Sequence, residues 1–214
     1  MPVDVKICGL GTAQAVAAAV DGGAAYLGFV FFPPSPRCVT PDETSKLAAA
    51  VPEGIAKVGL VVDADDQALR TILSRAPLDF LQLHGNEQPR RVRDIKDQFG
   101  LGIIKAIAVS GPDDIEKART FEDVADLLLF DAKPPEGAAR PGGNAFVFDW
   151  RLINGVKSWR LPWLLAGGID AGNLAAAVHI SGAAAVDVSS GVEDQPGVKS
   201  AEKISTFLRA AKSL

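Results

Sequence analysis

The sequence predicts an α/β fold, a (β/α)8 (TIM) barrel forming one domain over residues 1–214, and three observations carry that prediction. Short apolar runs alternate with helix-compatible stretches along the whole chain, a pattern of parallel βαβ units rather than of a sandwich. Eight such units in 214 residues take about 27 residues each, which suits a compact barrel. No linker rich in Ser, Gly or Pro divides the chain.

The elements follow in order. The first strand starts near Val3 (VDVKI) and leads to an alanine-rich helix over 13–20. The second starts near Tyr26 (YLGFVF), the third near Ala56 (AKVGLVV) and the fourth near Leu78 (LDFLQL), with helices over 44–50, 66–76 and 89–99 behind them. The fifth starts near Gly102 (GIIKAIAV), with a helix over 113–121, and the sixth near Ala125 (ADLLLF). Behind the sixth lies an irregular stretch, 133–144 (KPPEGAARPGGN), which reads as a long functional loop. The seventh starts near Pro162 (PWLLA) and the eighth near Ala184 (AAVDVS), with helices over 173–180 and 198–213. A doubly wound sheet competes, because Gly9-Leu10-Gly11 follows the first strand. The third glycine of a dinucleotide fingerprint is Gln14, however, and Phe31-Phe32-Pro33 stands where the second strand would end in an acid.

Composition narrows the function. The net charge is -4 with no basic stripe, which argues against a nucleic-acid partner. No apolar run reaches membrane-spanning length and no secretory signal is visible at Met1, so the expectation is a cytoplasmic protein without a membrane partner. Two cysteines and two histidines, none at ligand spacing, predict no metal site.

Strand parity then selects side chains. In VDVKIC the apolar Val3, Val5 and Ile7 share one face and must meet the helices, sending Lys6 and Cys8 into the barrel. Cys8 falls at the strand's C-terminal end, where barrel enzymes keep their active sites. On the eighth strand Asp187 and Ser189 share a face. A closed ring sets that strand beside the first, so a Lys6–Asp187 ion pair is expected; an architectural role and a catalytic-support role both fit it. Asp131 directly follows LLLF, and the Pro134-Pro135 pair weakens a helix-cap reading in favour of a functional carboxylate at the barrel mouth. Asp63 is placed similarly, but a helix follows it at once and a capping role is expected.

Two glycine-bearing loops, Ala166-Gly167-Gly168-Ile169-Asp170 and Ser189-Ser190-Gly191-Val192-Glu193, follow strands seven and eight. Singly each could be an ordinary turn. Together, at those two strand ends, they favour a phosphorylated small-molecule ligand. Gly142-Gly143-Asn144 could add donors. Arg37 sits in a loop stiffened by three prolines, where a fixed guanidinium fork would suit a carboxylate or phosphate; the alternative is a solvated surface arginine.

These positions resemble the phosphoribosylanthranilate isomerase family over the whole chain. VKICGL, FFPPSPRCV, LQLHGNE, LLLFDAK, FDW, LAGGI and VDVSSGVE match its motifs in order. The resemblance implies an Amadori rearrangement in tryptophan biosynthesis, with Cys8 as general base and Asp131 as general acid. It places Arg37 near the anthranilate carboxylate, and the glycines and serines of the last two loops, with Asp187 and Gly143, around the phosphorylated substrate. It implies no cofactor, and either a monomer or a homodimer. One departure is Gly142-Gly143-Asn144-Ala145 where relatives usually read Gly-Gly-Thr-Gly or Gly-Gly-Ser-Gly, so a hydroxyl and a glycine are missing.

The chemistry asks that Asp131 carry its proton above the ordinary value of about 3.9 and that Cys8 lose its proton below about 8.5, with Lys6 helping. His84 and His179 read as hydrogen-bonded structural residues, His84 being the better outside candidate, and Trp150, Trp159 and Trp163 as packing. A lyase on the same scaffold would draw on Lys105, and a non-catalytic phosphosugar-binding barrel is the remaining rival.

Overall fold

The computed structural model describes residues 3–133, 147–154 and 159–214. Among them, eight parallel strands close into a ring in sequence order: β1 Asp4–Cys8, β2 Tyr26–Val30, β3 Ala56–Val61, β4 Phe80–Leu83, β5 Gly102–Val109, β6 Leu127–Ala132, β7 Trp163–Leu165 and β8 Ala185–Val188. Around the ring lie α1 Ala13–Asp21, α2 Pro41–Ala48, α3 Asp66–Leu73, α4 Pro89–Phe99, α5 Pro112–Ala118, the single turn α6 Arg151–Asn154, α7 Leu174–Ser181 and α8 Ala201–Lys212. The stretch Gly142-Gly143-Asn144-Ala145, and with it Gly143, lies outside the described residues.

Local chemistry starts the helices where the chain leaves each strand. Thr12 accepts the Ala15 N–H, Ser200 accepts the Lys203 N–H, and Thr40 with Glu43 forms a capping box; each such cap is worth about 1 kcal/mol. The cap of α3 is Asp65, not Asp63 as the sequence suggests. Asp63 instead holds φ 48 and accepts the Asn86 N–H through Oδ1, tying the loop after β3 to the loop after β4.

Two apolar layers follow from the alternation of strand faces. Val3, Val5 and Ile7 pack outward with Ala15, Val16 and Ala19 of α1 and Phe207, Leu208 and Ala211 of α8. The barrel interior is a separate, smaller cluster of Val58, Ile104, Ala106, Leu127, Leu129, Leu164 and Ala166. Burying each large aliphatic side chain contributes about 1.5–3 kcal/mol. Trp159 and Trp163 pack on Phe130 at centroid distances of 4.9 and 5.7 Å, consistent with a packing role.

Sequence periodicity misses the single turn α6 and the fold-back of the chain before the last helix. The last helix begins at Ala201 rather than at Val198, because the chain first folds back as a short antiparallel pair, β9 Glu193–Gln195 and β10 Val198–Lys199. Among the described residues no helix is long and apolar enough to cross a membrane.

Candidate active site

Above the aliphatic interior, toward the C-terminal ends of the strands, the inward positions turn polar. Lys6 is fully buried, and its Nζ donates to Asp187 Oδ1 at 2.8 Å across the β1–β8 seam, where the two residues are in register. The expected pair is therefore present. Burial works against the Lys6 charge, but Asp187 and Cys8 outweigh it and leave the ammonium harder to deprotonate than usual.

Cys8 closes β1 on the same face, buried, opposite Gly28 of β2. A Cβ at residue 28 would stand 3.0 Å from Cys8 Sγ and 3.1 Å from Lys6 Nζ, so the absence of a side chain there is what lets thiol and ammonium share the space. Burial is the largest influence on the thiol and pushes its pKa up, with Asp187 adding to it; Lys6 and Lys199 pull the other way and do not prevail. The expectation of a lowered pKa is thus corrected: Lys6 acts in the expected direction, but desolvation wins in the free protein. The Cys8 Cβ resonance of a Cys38→Ser protein is accordingly expected to titrate above the ordinary thiol value, and higher still in Lys199→Met. A midpoint below about 8.5 in carbon NMR would contradict this balance.

Asp131 lies inside β6 rather than beyond it, on the parity of Leu127 and Leu129, which face the interior. It is 7% exposed, and its Oδ1 accepts the Ala132 N–H at 2.8 Å. Its Oδ2 stands 3.3 Å from His84 Nε2, and Gln82 Nε2 stands 2.9 Å from His84 Nδ1. Gly167, at φ 88, gives the carboxyl its seat: a Cβ there would lie 2.7 Å from the Ala132 nitrogen and 3.1 Å from Asp131 Oδ1.

The loops after β7 and β8 meet. Gly168 has φ 61, and Gly191 packs against the Ile169 carbonyl within a single 3₁₀ turn, Ser190–Val192. Ser189 Oγ donates to the Cys8 carbonyl at 3.0 Å, joining the last loop to the first strand. Arg37 is buried rather than solvated. Its stem packs over Gly9, the residue after Cys8, and its Nε and Nη2 donate to Glu193 at 2.7 and 2.8 Å.

Glu193 is the hub that sequence reading misses. It also pairs with Lys199 and accepts the Gly197 N–H, while Lys199 Nζ donates to the Ser189 carbonyl at 3.0 Å. Burial works to raise the Glu193 pKa, but Arg37 and Lys199 hold its carboxyl below the usual range; burial likewise lowers that of Lys199, which Glu193 and Cys8 only partly offset. The short β9–β10 hairpin thus carries both a carboxylate for Arg37 and a second cation near Cys8.

Lys105 takes no part in this interior. It shares the parity of Ile103 and Ile107, whose side chains pack outward. Its Nζ donates to the Leu83 and Gly85 carbonyls and to Glu87 Oε2, at 3.2, 2.8 and 2.7 Å. That removes the feature a lyase reading needed. Among the described residues no group of three or more His, Cys, Asp or Glu could hold a metal ion.

Eight parallel strands closed into a ring with helices around them define a (β/α)8 barrel, and Cys8, Asp131 and His84 stand on its inward positions. The particular family follows from comparison with known proteins. The model of the N-(5'-phosphoribosyl)anthranilate (PRA) isomerase family matches residues 5–210, and the chain belongs to that family. It is 55% identical to the N-(5'-phosphoribosyl)anthranilate isomerase of Paramagnetospirillum magneticum over 99% of this chain and 98% of that protein. The phosphoribosyl anthranilate isomerase of Thermotoga maritima superposes with a TM-score of 0.88 at 33% identity, covering 99% of this chain and all of the other. A further solved structure, at TM-score 0.86 and 32% identity over 99% of this chain and all of that one, is a phosphoribosyl anthranilate isomerase in complex with reduced 1-(o-carboxyphenylamino)-1-deoxyribulose 5-phosphate.

Proposed function

We propose that this chain converts N-(5'-phosphoribosyl)anthranilate to 1-(2-carboxyphenylamino)-1-deoxyribulose 5-phosphate, with Asp131 as general acid and Cys8 as general base. Family membership supports the reaction. The observation that supports the roles is that Asp131 and Cys8 both stand on inward positions near the C-terminal ends of their strands.

Asp131 delivers its proton to the furanose ring oxygen, the bond from that oxygen to C1' breaks, and the nitrogen lone pair closes an iminium at C1'. Cys8 then takes the proton from C2', and those electrons form an enol amine. The enol loses its hydroxyl proton and C1' gains one, giving the ketone with no net change in atoms. The iminium is a cation formed within reach of the sulfur, and it adds to the pull of Lys6 and Lys199 toward thiolate at the moment the base is needed. The backbone of the loops after β7 and β8, through Gly167, Gly168, Ser190 and Gly191, holds the phosphate, with Ser189 and Asp187 beneath it. Arg37, fixed by Glu193, faces the anthranilate carboxylate. No cofactor enters any of these steps.

The test is direct. Freshly generated phosphoribosylanthranilate is expected to lose its anthranilate fluorescence when the protein is added. Tight binding without that loss would favour the non-catalytic phosphosugar-binding reading.

A further inference from the structure

The inner face of β4 carries a polar pair that the steps above leave unused. Gln82 is fully buried, in register with Ile104 of the aliphatic interior, and its Oε1 has no hydrogen-bond partner among the described residues. An amide with an orphaned oxygen is an expensive interior choice where Leu or Met would fit. Its other end explains the choice. Gln82 Nε2 can only donate, and it stands 2.9 Å from His84 Nδ1, so Nδ1 must present its lone pair. A neutral imidazole then carries its single hydrogen on Nε2, the atom 3.3 Å from Asp131 Oδ2. The Ala132 N–H already donates to Oδ1, so the His84 Nε2–H faces the other oxygen of the same carboxyl, at 3.3 Å.

We infer that Gln82 is a positioning residue: it fixes the tautomer of His84 so that the His84 Nε2–H stabilises the carboxylate Asp131 becomes as its proton leaves for the ring oxygen. This rests on reading Asp131 as the acid. Hydrogen bonds to a group strengthen as charge grows on it, so the effect belongs to the transition state more than to the bound substrate. The opposite tautomer would set a lone pair against the departing charge. The Gln82 amide decides between the two.

Nitrogen NMR of His84 and steady-state kinetics of Gln82→Met test this. In the parent protein His84 is expected to show a bare Nδ1 and a protonated Nε2, and in Gln82→Met a mixture. Turnover in Gln82→Met is expected to fall about 10-fold with KM within about twofold, the signature of a transition-state contact. In an Asp131→Asn background the same change is expected to add no further loss, because the two act as one unit. If Gln82→Met does not fold, His84 variants decide. His84→Gln keeps an amide N–H for Asp131 and is expected to retain several-fold more turnover than His84→Phe. A proton on Nδ1 in the parent, an unchanged kcat in folded Gln82→Met, or equal activity of the two His84 variants would overturn the inference. Near-normal turnover in Asp131→Asn alone would instead remove the acid assignment, and the tautomer would still be read independently.

Discussion

Asp131→Asn is expected to lower kcat by about 10²–10⁴ without disturbing the fold, and Cys8→Ser to do the same from the other side of the reaction. Asparagine has the size of the residue it replaces, so it fits the seat left by Gly167 and can still accept the Ala132 N–H. Its amide nitrogen, though, has no transferable proton at neutral pH and would meet His84 Nε2 donor to donor. Cys8→Ser preserves shape in the tight space beside Gly28 and Lys6 but replaces the sulfur with an oxygen that ionises far less readily. The fluorescence assay gives the rates, and thermal melting monitored by circular dichroism reports the fold. Near-normal turnover in either folded variant would remove that residue from the mechanism.

Much of this site is legible in the sequence, because one strand face in β1 is strictly apolar. Val3, Val5 and Ile7 leave only one direction for Lys6 and Cys8, and ring closure then brings Asp187 to Lys6. Such an argument fails where both faces are apolar. Lys105 stands in Ile-Ile-Lys-Ala-Ile, whose alternation gives no preferred side, and only the barrel's curvature shows that it turns outward to Glu87. The β9–β10 hairpin is hidden for another reason. Its strands are three and two residues long, too short for any periodicity, and the ties of Glu193 to Arg37 span 156 positions. The misplaced cap at Asp63 is a matter of two residues: Asp65 offers the same side chain closer to the helix start. The raised pKa of Cys8 illustrates a limit of kind. A neighbouring lysine can be read from sequence parity, whereas the depth of burial that outweighs it emerges only when the whole ring has closed.

The Lys6–Asp187 pair has two readings, architectural or supportive of Cys8, and stability and activity separate them. Asp187→Ala leaves a fully buried ammonium without its carboxylate and is expected to destabilise the protein by about 3–5 kcal/mol. Replacing both partners, Lys6→Met with Asp187→Leu, removes both charges together and is expected to recover most of that loss, since well-packed apolar residues commonly substitute for a buried ion pair at little cost. If the pair only braces the β1–β8 seam, turnover at saturating substrate in the double variant returns with stability, and losing Asp187 from beneath the phosphate is read in KM instead. If it also serves Cys8, turnover stays low: the cation that pulls the thiol toward its ionised form is gone, and Lys199 alone opposes the desolvation of the sulfur. Denaturant unfolding supplies the first quantity and the fluorescence assay the second. The expected outcome is a stable and nearly inactive double variant. The reason lies in the packing: Lys6 Nζ, Cys8 Sγ and the bare face of Gly28 are gathered so closely that a charge placed for the seam acts on the thiol as well.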